Sequence, residues 1–251
     1  MIHCPVRRSA KSSDSTGFHT LFIGLRGPAL CWRHPSAPFG DAAAHAYDRA
    51  VFSERLQRQV GFLLEADKLK AILRRTPLID NSRQENSAEH SWHLTLAAVT
   101  LAEYAPPGTD LLHALRLLIV HDLVEIDAGD TFAYDTVQQE SKAARELAAA
   151  VRIFGLLPDD LGAQLRGWWD EFEAVESPSA RFANALDRLQ PLLLNMHSGG
   201  GSWRSHRVAR AQVLHRMQPI RLWMPAAWPM VLDIVDRACG ACLIVDDREA
   251  T

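Results

Sequence analysis

Apolar residues recur at a helical period along most of the chain from Ala50 onward. Across 51–73 they fall at Phe52, Leu56, Val60, Leu63, Leu64, Leu69 and Leu73, which predicts an amphipathic helix ending before Pro77 and the polar loop 80–86. Asn86 followed three positions later by Glu89 predicts a capping box. The helix it opens runs to about Tyr104 and stops before Pro106-Pro107-Gly108. Asp110 is placed to cap the next helix, an almost wholly apolar run over 111–120 that closes on His121-Asp122. Gly129-Asp130 then turns the chain. Further helices are predicted over 138–154, 159–173, 177–197, 208–217 and 228–245, with Ser198-Gly199-Gly200-Gly201-Ser202 as a flexible loop. No segment shows the alternation of a half-buried strand. The pattern predicts an all-α helical bundle, one domain over 49–245.

Residues 1–48 differ from the rest. They are rich in Ser, Arg, Gly, Pro and His and poor in acids. The expectation is a variable, disordered N-terminal extension, with a transit peptide or a misassigned start as alternatives. The remaining composition narrows the class. With 47% hydrophobic residues the chain can bury a sizeable core. A net charge of -3 supplies no basic field, so no nucleic-acid partner is expected. The run 111–120 falls short of the ~18 apolar residues of a membrane span, so no membrane partner is expected either. Cys4, Cys31, Cys239 and Cys242 include one CxxC pair without a second pair to complete a zinc site. Cys239 and Cys242 are read as core cysteines, and the compartment as cytoplasmic.

The candidate chemistry sits where the sequence otherwise reads as core. His121 and Asp122 stand side by side at the end of the apolar run, His90 opens an earlier helix, and Asp187 lies inside a later apolar one. A buried carboxylate is costly unless it is paired or bound to a cation. Singly, His90 reads as a satisfied core histidine and Asp187 as half of a salt bridge with Arg188. Together the four supply two nitrogens and two carboxylates, a set suited to one divalent cation held between helices. His93 shares the face of His90 and is assigned to packing or to support of the ligands. Glu125, four residues after His121, projects to the same side and can orient an attacking water and accept its proton. Asp130 is either a turn residue or a contact to a substrate sugar hydroxyl or a second ion. Arg75 and Arg83 flank the loop before His90; taken singly each reads first as a surface arginine, and either can clamp a phosphate.

These residues resemble the HD-domain metal-dependent phosphohydrolases, whose ordered signature is His, then His-Asp, then a distant Asp. Ala88-Glu89-His90-Ser91, His121-Asp122-Leu123-Val124-Glu125 and Gly129-Asp130 resemble the 5'-deoxynucleotidase branch, as do Leu156–Leu161 and Trp168–Glu173. The resemblance covers about residues 56–220. It implies an HD-domain helical bundle in which His90, His121, Asp122 and Asp187 hold one divalent cation, with Mn, Co, Mg, Zn and Fe all admissible. It also implies that Glu125 positions or activates the water, that Asp130 contacts the deoxyribose, and that Arg75 binds phosphate. The expected reaction is hydrolysis of a deoxynucleoside 5'-monophosphate by a homodimer acting on a small-molecule nucleotide. One departure is visible: Thr76 stands where the bacterial enzymes of the branch carry a substrate-facing Trp. The segment Gly199–His206 is assigned to interface or structural packing ahead of closure over a nucleotide.

Two rivals remain open at the level of sequence. One is an HD hydrolase of another phosphate ester or nucleotide. Two-metal relatives carry extra histidines between the HD pair and the last Asp, and none occurs between Asp122 and Asp187. The other is a catalytically inactive, metal-stabilised binding protein, against which Glu125 and Asp130 argue.

Overall fold

The computed structural model describes residues 52–248. The expected extension 1–48, with Cys4 and Cys31, lies outside the described residues. Helix α1 spans Glu54–Ala66, its first turn capped by the Ser53 hydroxyl, which accepts the Leu56 N–H at 3.2 Å. A 3-10 turn, Asp67–Ala71, follows. The next element overturns the expectation of no strand. Leu73–Pro77 (β1) pairs antiparallel with Gln84–Asn86 (β2). The hairpin escaped the pattern because its alternation is not one of hydrophobicity. Arg74 and Thr76 point inward and Leu73 and Arg75 outward, so polar residues occupy the buried face.

Helix α2, Ser87–Thr100, opens on the expected capping box: the Glu89 N–H donates to Asn86 Oδ1 at 2.9 Å and the Asn86 N–H to Glu89 Oε2 at 3.2 Å. Helix α3, Leu111–Val120, is capped by Asp110, which accepts the His113 N–H at 3.1 Å. The chain then tightens through His121-Asp122 into the short helix α4, Glu125–Ala128, which ends at Gly129 with φ 73. Glycine adopts that left-handed backbone without a Cβ penalty, and it sends Asp130 back toward the helix ends. Helices α5 (Thr136–Gly155), α6 (Asp159–Ala174) and α7 (Pro178–His197) follow, the last capped by Ser177.

The glycine segment is only partly a loop. Helix α8, Gly201–His206, begins within it, and Trp203 is buried in the core. A side chain at Gly201 would meet Asn195 Oδ1 and the Pro77 ring at under 3 Å, so the close approach of α8 to α7 and β1 requires glycine there. Helices α9 (Arg210–Arg216), α10 (Gln218–Trp223) and α11 (Trp228–Gly240) complete the bundle. The last stops five residues before the expected end. As a result Cys239 is buried as expected, but Cys242 lies beyond the helix and is exposed.

Helix α7 is the hub: α2, α3, α6, α10 and β1 all pack on it. Its Phe182, Leu186 and Leu189 meet Leu94, Leu117, Ile220 and Val235 in the main core. Burying each such side chain stabilises the fold by ~1.5–3 kcal/mol. A second cluster joins Phe62, Val124, Ile153, Phe154 and Trp169. Among the described residues, no helix is long and apolar enough to cross a membrane.

Candidate metal centre and its cavity

Four elements converge on a polar seam between these two clusters. The start of α2 brings His90, the end of α3 brings His121 and Asp122, α4 brings Glu125, and the middle of α7 brings Asp187. His90 is fully buried, and His121, Asp122, Glu125 and Asp187 are nearly so. Ligand atoms of His90, His121 and Asp122 lie within 4.8 Å of one another. Asp187 stands at the edge of that group, with Oδ1 3.0 Å from His90 Nε2. Its other oxygen is held by the adjacent Arg188. The salt-bridge and ligand readings of Asp187 therefore coexist on its two oxygens.

The backbone and neighbouring side chains fix how the imidazoles point. His121 Nδ1 lies 2.7 Å from the Leu118 carbonyl oxygen, so Nδ1 carries the proton and donates. Nε2 is left with its lone pair, and it is buried with no hydrogen-bond partner among the described residues. It faces Asp122 Oδ1 at 3.1 Å, an ion-pair distance without hydrogen-bond geometry. On His90, Nδ1 meets Gln190 Oε1 at 3.1 Å, while Nε2 is the atom turned to Asp187. Gln190 in turn donates to Glu85 Oε1 at 2.6 Å and lies 3.2 Å from His93 Nδ1. Gln190 thus links His93 to the candidate ligand His90. Support of this kind orients ligand imidazoles and raises their basicity.

Sequence reasoning missed Arg74, the central cation of the seam. Its Nη1 donates to Asp122 Oδ2 at 2.8 Å and lies 3.7 Å from Asp130 Oδ1 and 3.9 Å from Glu125 Oε1. The missed hairpin is the cause, since strand alternation sends Arg74 inward and Arg75 outward. Asp122 then offers Oδ2 to Arg74 and Oδ1 to the side of His121. Arg83 is corrected as a phosphate candidate: it is exposed and tied to Glu89 at 2.8 Å. Arg75 and Asp130 instead line a cavity beside the seam, with Thr76, Tyr134, Arg188, Trp203 and Arg216.

The electrostatics favour an added positive charge. Burial alone would raise the Asp122 carboxyl, but its close contact with His121 and the charge of Arg74 overcome it and hold it below the usual carboxylate range. Burial and Arg74 push His90 down, yet its hydrogen bonds to Asp187 and Glu85 win, and its pKa is pushed up to about 9. Burial, with Asp122 beside it, raises Glu125 to about 8. Burial also raises Asp130. The seam gathers Glu85, Asp122, Glu125, Asp130 and Asp187 around Arg74 and draws protons onto its histidine and carboxyl groups. The unpartnered Nε2 of His121, the adjacent carboxylate oxygens and this appetite for positive charge fit a divalent cation.

Comparison with known proteins points the same way. A family model described as HD domain matches residues 66–228. The chain is 31% identical over 136 residues to "5'-deoxynucleotidase HDDC2" of Danio rerio, covering 52% of this chain and 66% of that protein. It is also 31% identical over 136 residues to the Homo sapiens protein of the same name, covering 53% of this chain and 64% of that one. The chain thus spans about two thirds of the length of the curated relatives it matches. A crystal structure described as a predicted metal-dependent phosphohydrolase, from Magnetospirillum magnetotacticum MS-1, shares 46% identity at a TM-score of 0.73. That match covers 76% of this chain and 96% of the other.

Proposed function

Because the chain belongs to the HD-domain family, we propose that it is a metal-dependent phosphohydrolase that hydrolyses deoxynucleoside 5'-monophosphates to deoxynucleoside and phosphate. The buried, unpartnered His121 Nε2 facing Asp122 Oδ1 carries this reading, because apolar packing gives no reason for that pair. His90, His121, Asp122 and Asp187 would hold the cation. A divalent ion held there supplies Lewis acidity, lowering the pKa of water and offsetting phosphoryl charge.

The chain's own residues do the rest. Glu125, raised to about 8, is a carboxyl matched to moving protons near neutral pH, and it takes the proton of the attacking water. Ser87 Oγ donates to Glu125 Oε2 at 2.6 Å and fixes its rotamer. Arg75, at the cavity mouth, binds the phosphate and stabilises charge on the transferred group. Asp130, in the cavity wall, accepts from a sugar hydroxyl. Thr76 is buried in the same wall and leaves space where the resembling enzymes carry Trp, so base and sugar selectivity follow this chain's own lining. The homodimer belongs to the same proposal. Trp92, Leu96 and Val99, exposed one turn apart along α2, supply an apolar face for it.

The test is phosphate release from a panel of ribo- and deoxyribonucleoside 5'-monophosphates, metal-stripped and with added Mn, Co or Mg. Metal-dependent release that favours the deoxy substrates, and disappears in Asp122→Ala, is the expected result. A metal-loaded chain silent across the panel would sink the nucleotidase reading. Release of phosphate from other esters alone would move the substrate class.

A further inference from the structure

The cavity beside the acidic seam has the opposite sign. Its wall carries Arg74, Arg75, Arg188 and Arg216 against one carboxylate, Asp130. Arg74 is engaged by Asp122, and Arg188 by Asp187. Arg216, in the last turn of α9, differs. It is partly buried, and among the described residues no hydrogen bond or ion pair holds it. Burial and the Arg188 charge lower its pKa to about 10. Arg188 repels it, and the acid whose charge favours it, Asp187, is already shared between Arg188 and His90.

A guanidinium withdrawn from water beside a like charge is costly without an anion. The fold nevertheless holds it there. Met217, its neighbour, is buried in the core, and α9 packs against α10 and α11. The other lining fits an anion with an organic body: Tyr134 and Trp203 supply ring surface, and Ser202 and Asn195 lie on the same wall. Guanidinium groups match the oxygens of a phosphoryl group by their forked geometry.

We propose that Arg216, backed by Arg188, forms an anion subsite that holds a phosphoryl group of the substrate. The subsite extends the phosphate grip beyond Arg75, and it rests on the phosphohydrolase reading for the identity of the anion. The phosphoryl group held is either the one transferred or a second one on the same substrate.

Inorganic phosphate is the probe, titrated by calorimetry into the full chain loaded with Mn. Arg216→Met keeps the length of the stem and removes the charge. Phosphate affinity should fall about tenfold or more, the equivalent of one charge-assisted contact, and Arg216→Lys should restore part of it. Arg237→Met, at an exposed site on α11, should leave it unchanged. An Arg216→Met protein with native circular dichroism and unchanged phosphate affinity overturns the proposal. Should that variant fail to fold, Arg188→Met in the same titration decides: a loss of about tenfold supports the subsite, and unchanged affinity overturns it.

Steady-state kinetics then locate the group. An equal loss of kcat/KM for nucleoside mono- and bisphosphates assigns Arg216 to the transferred phosphoryl group. A loss confined to bisphosphates assigns it to a second one. Because binding is read without turnover, a chain that binds phosphate through Arg216 but hydrolyses nothing removes the hydrolase reading and leaves the subsite standing.

Discussion

Two walls meet in this molecule, and each gathers charge mostly of one sign. The acidic seam collects Glu85, Asp122, Glu125, Asp130 and Asp187 and answers them with Arg74 and two histidines. The arginine wall collects Arg75, Arg188 and Arg216, and among the described residues Asp187 alone forms an ion pair with one of them. The first is short of positive charge and the second of negative charge. Helix α7 supplies both from neighbouring positions: Asp187 faces the seam and Arg188 lines the cavity. Pro191, one turn further on, lacks the N–H that would bond the Asp187 carbonyl, and it too lines the cavity. The contrast teaches that burial of charge is organised here by complement. A cation suits one side, an anion the other, and a metal-bound phosphate ester would satisfy both.

The comparison can be broken most severely on the acidic side. Asp122→Ala removes a proposed ligand oxygen and the anchor of Arg74, so bound metal should disappear by elemental analysis and phosphate release should fall on the order of 10³-fold. Retention of metal and activity would place the centre elsewhere.

Arg74→Met tests the seam without touching a ligand. It leaves Asp122, Glu125 and Asp130 uncompensated, and stability should drop by ~3 kcal/mol, as for a broken buried ion pair. Added Mn should recover more of the melting temperature in this variant than in the parent protein, because the cation replaces part of the lost charge. Equal metal-induced shifts in the two would show that Arg74 and the cation do not share these carboxylates.

Glu125→Gln sharpens the division of labour within the seam. Metal content should stay at the parent level while turnover falls ~10²-fold, the scale of a positioned acid–base group. Loss of metal with activity would make Glu125 a ligand instead. On the arginine wall the expected effects are smaller. Arg75→Met should cost about tenfold in kcat/KM, comparable with the change in phosphate affinity expected from Arg216→Met, and should leave metal content unchanged. A large metal loss in either arginine variant would erase the distinction between the walls.

Much of this was legible in the sequence. The capping box at Asn86, the Asp110 cap and the apolar run ending in His121-Asp122 are local features, and each appears where the pattern places it. The candidate ligands were legible because metal-binding side chains inside apolar runs are conspicuous. The hairpin was not. Its buried face carries Arg74 and Thr76, which look like loop residues until the seam behind them is known. Arg74, Glu85, Gln190 and Arg216 were missed for the same reason: each is an ordinary polar residue in sequence and becomes significant only by what it is buried against. Arg188 had a signal in its adjacency to Asp187, but that signal reads as a salt bridge and not as a cavity wall.

The sequence by itself did not determine α8 or α10, but it determined most of the longer helices, several of their caps and the candidate ligands. These depend on neighbours within a turn or two, where periodicity and side-chain chemistry decide. Tertiary structure alone decided which charges share a space. It brought Arg74 to Asp122 across 48 positions, joined His90 to Asp187 across 97, and set Arg216 beside Arg188. Electrostatic energy in a buried seam depends on distance and solvent exclusion, and neither can be read along the chain.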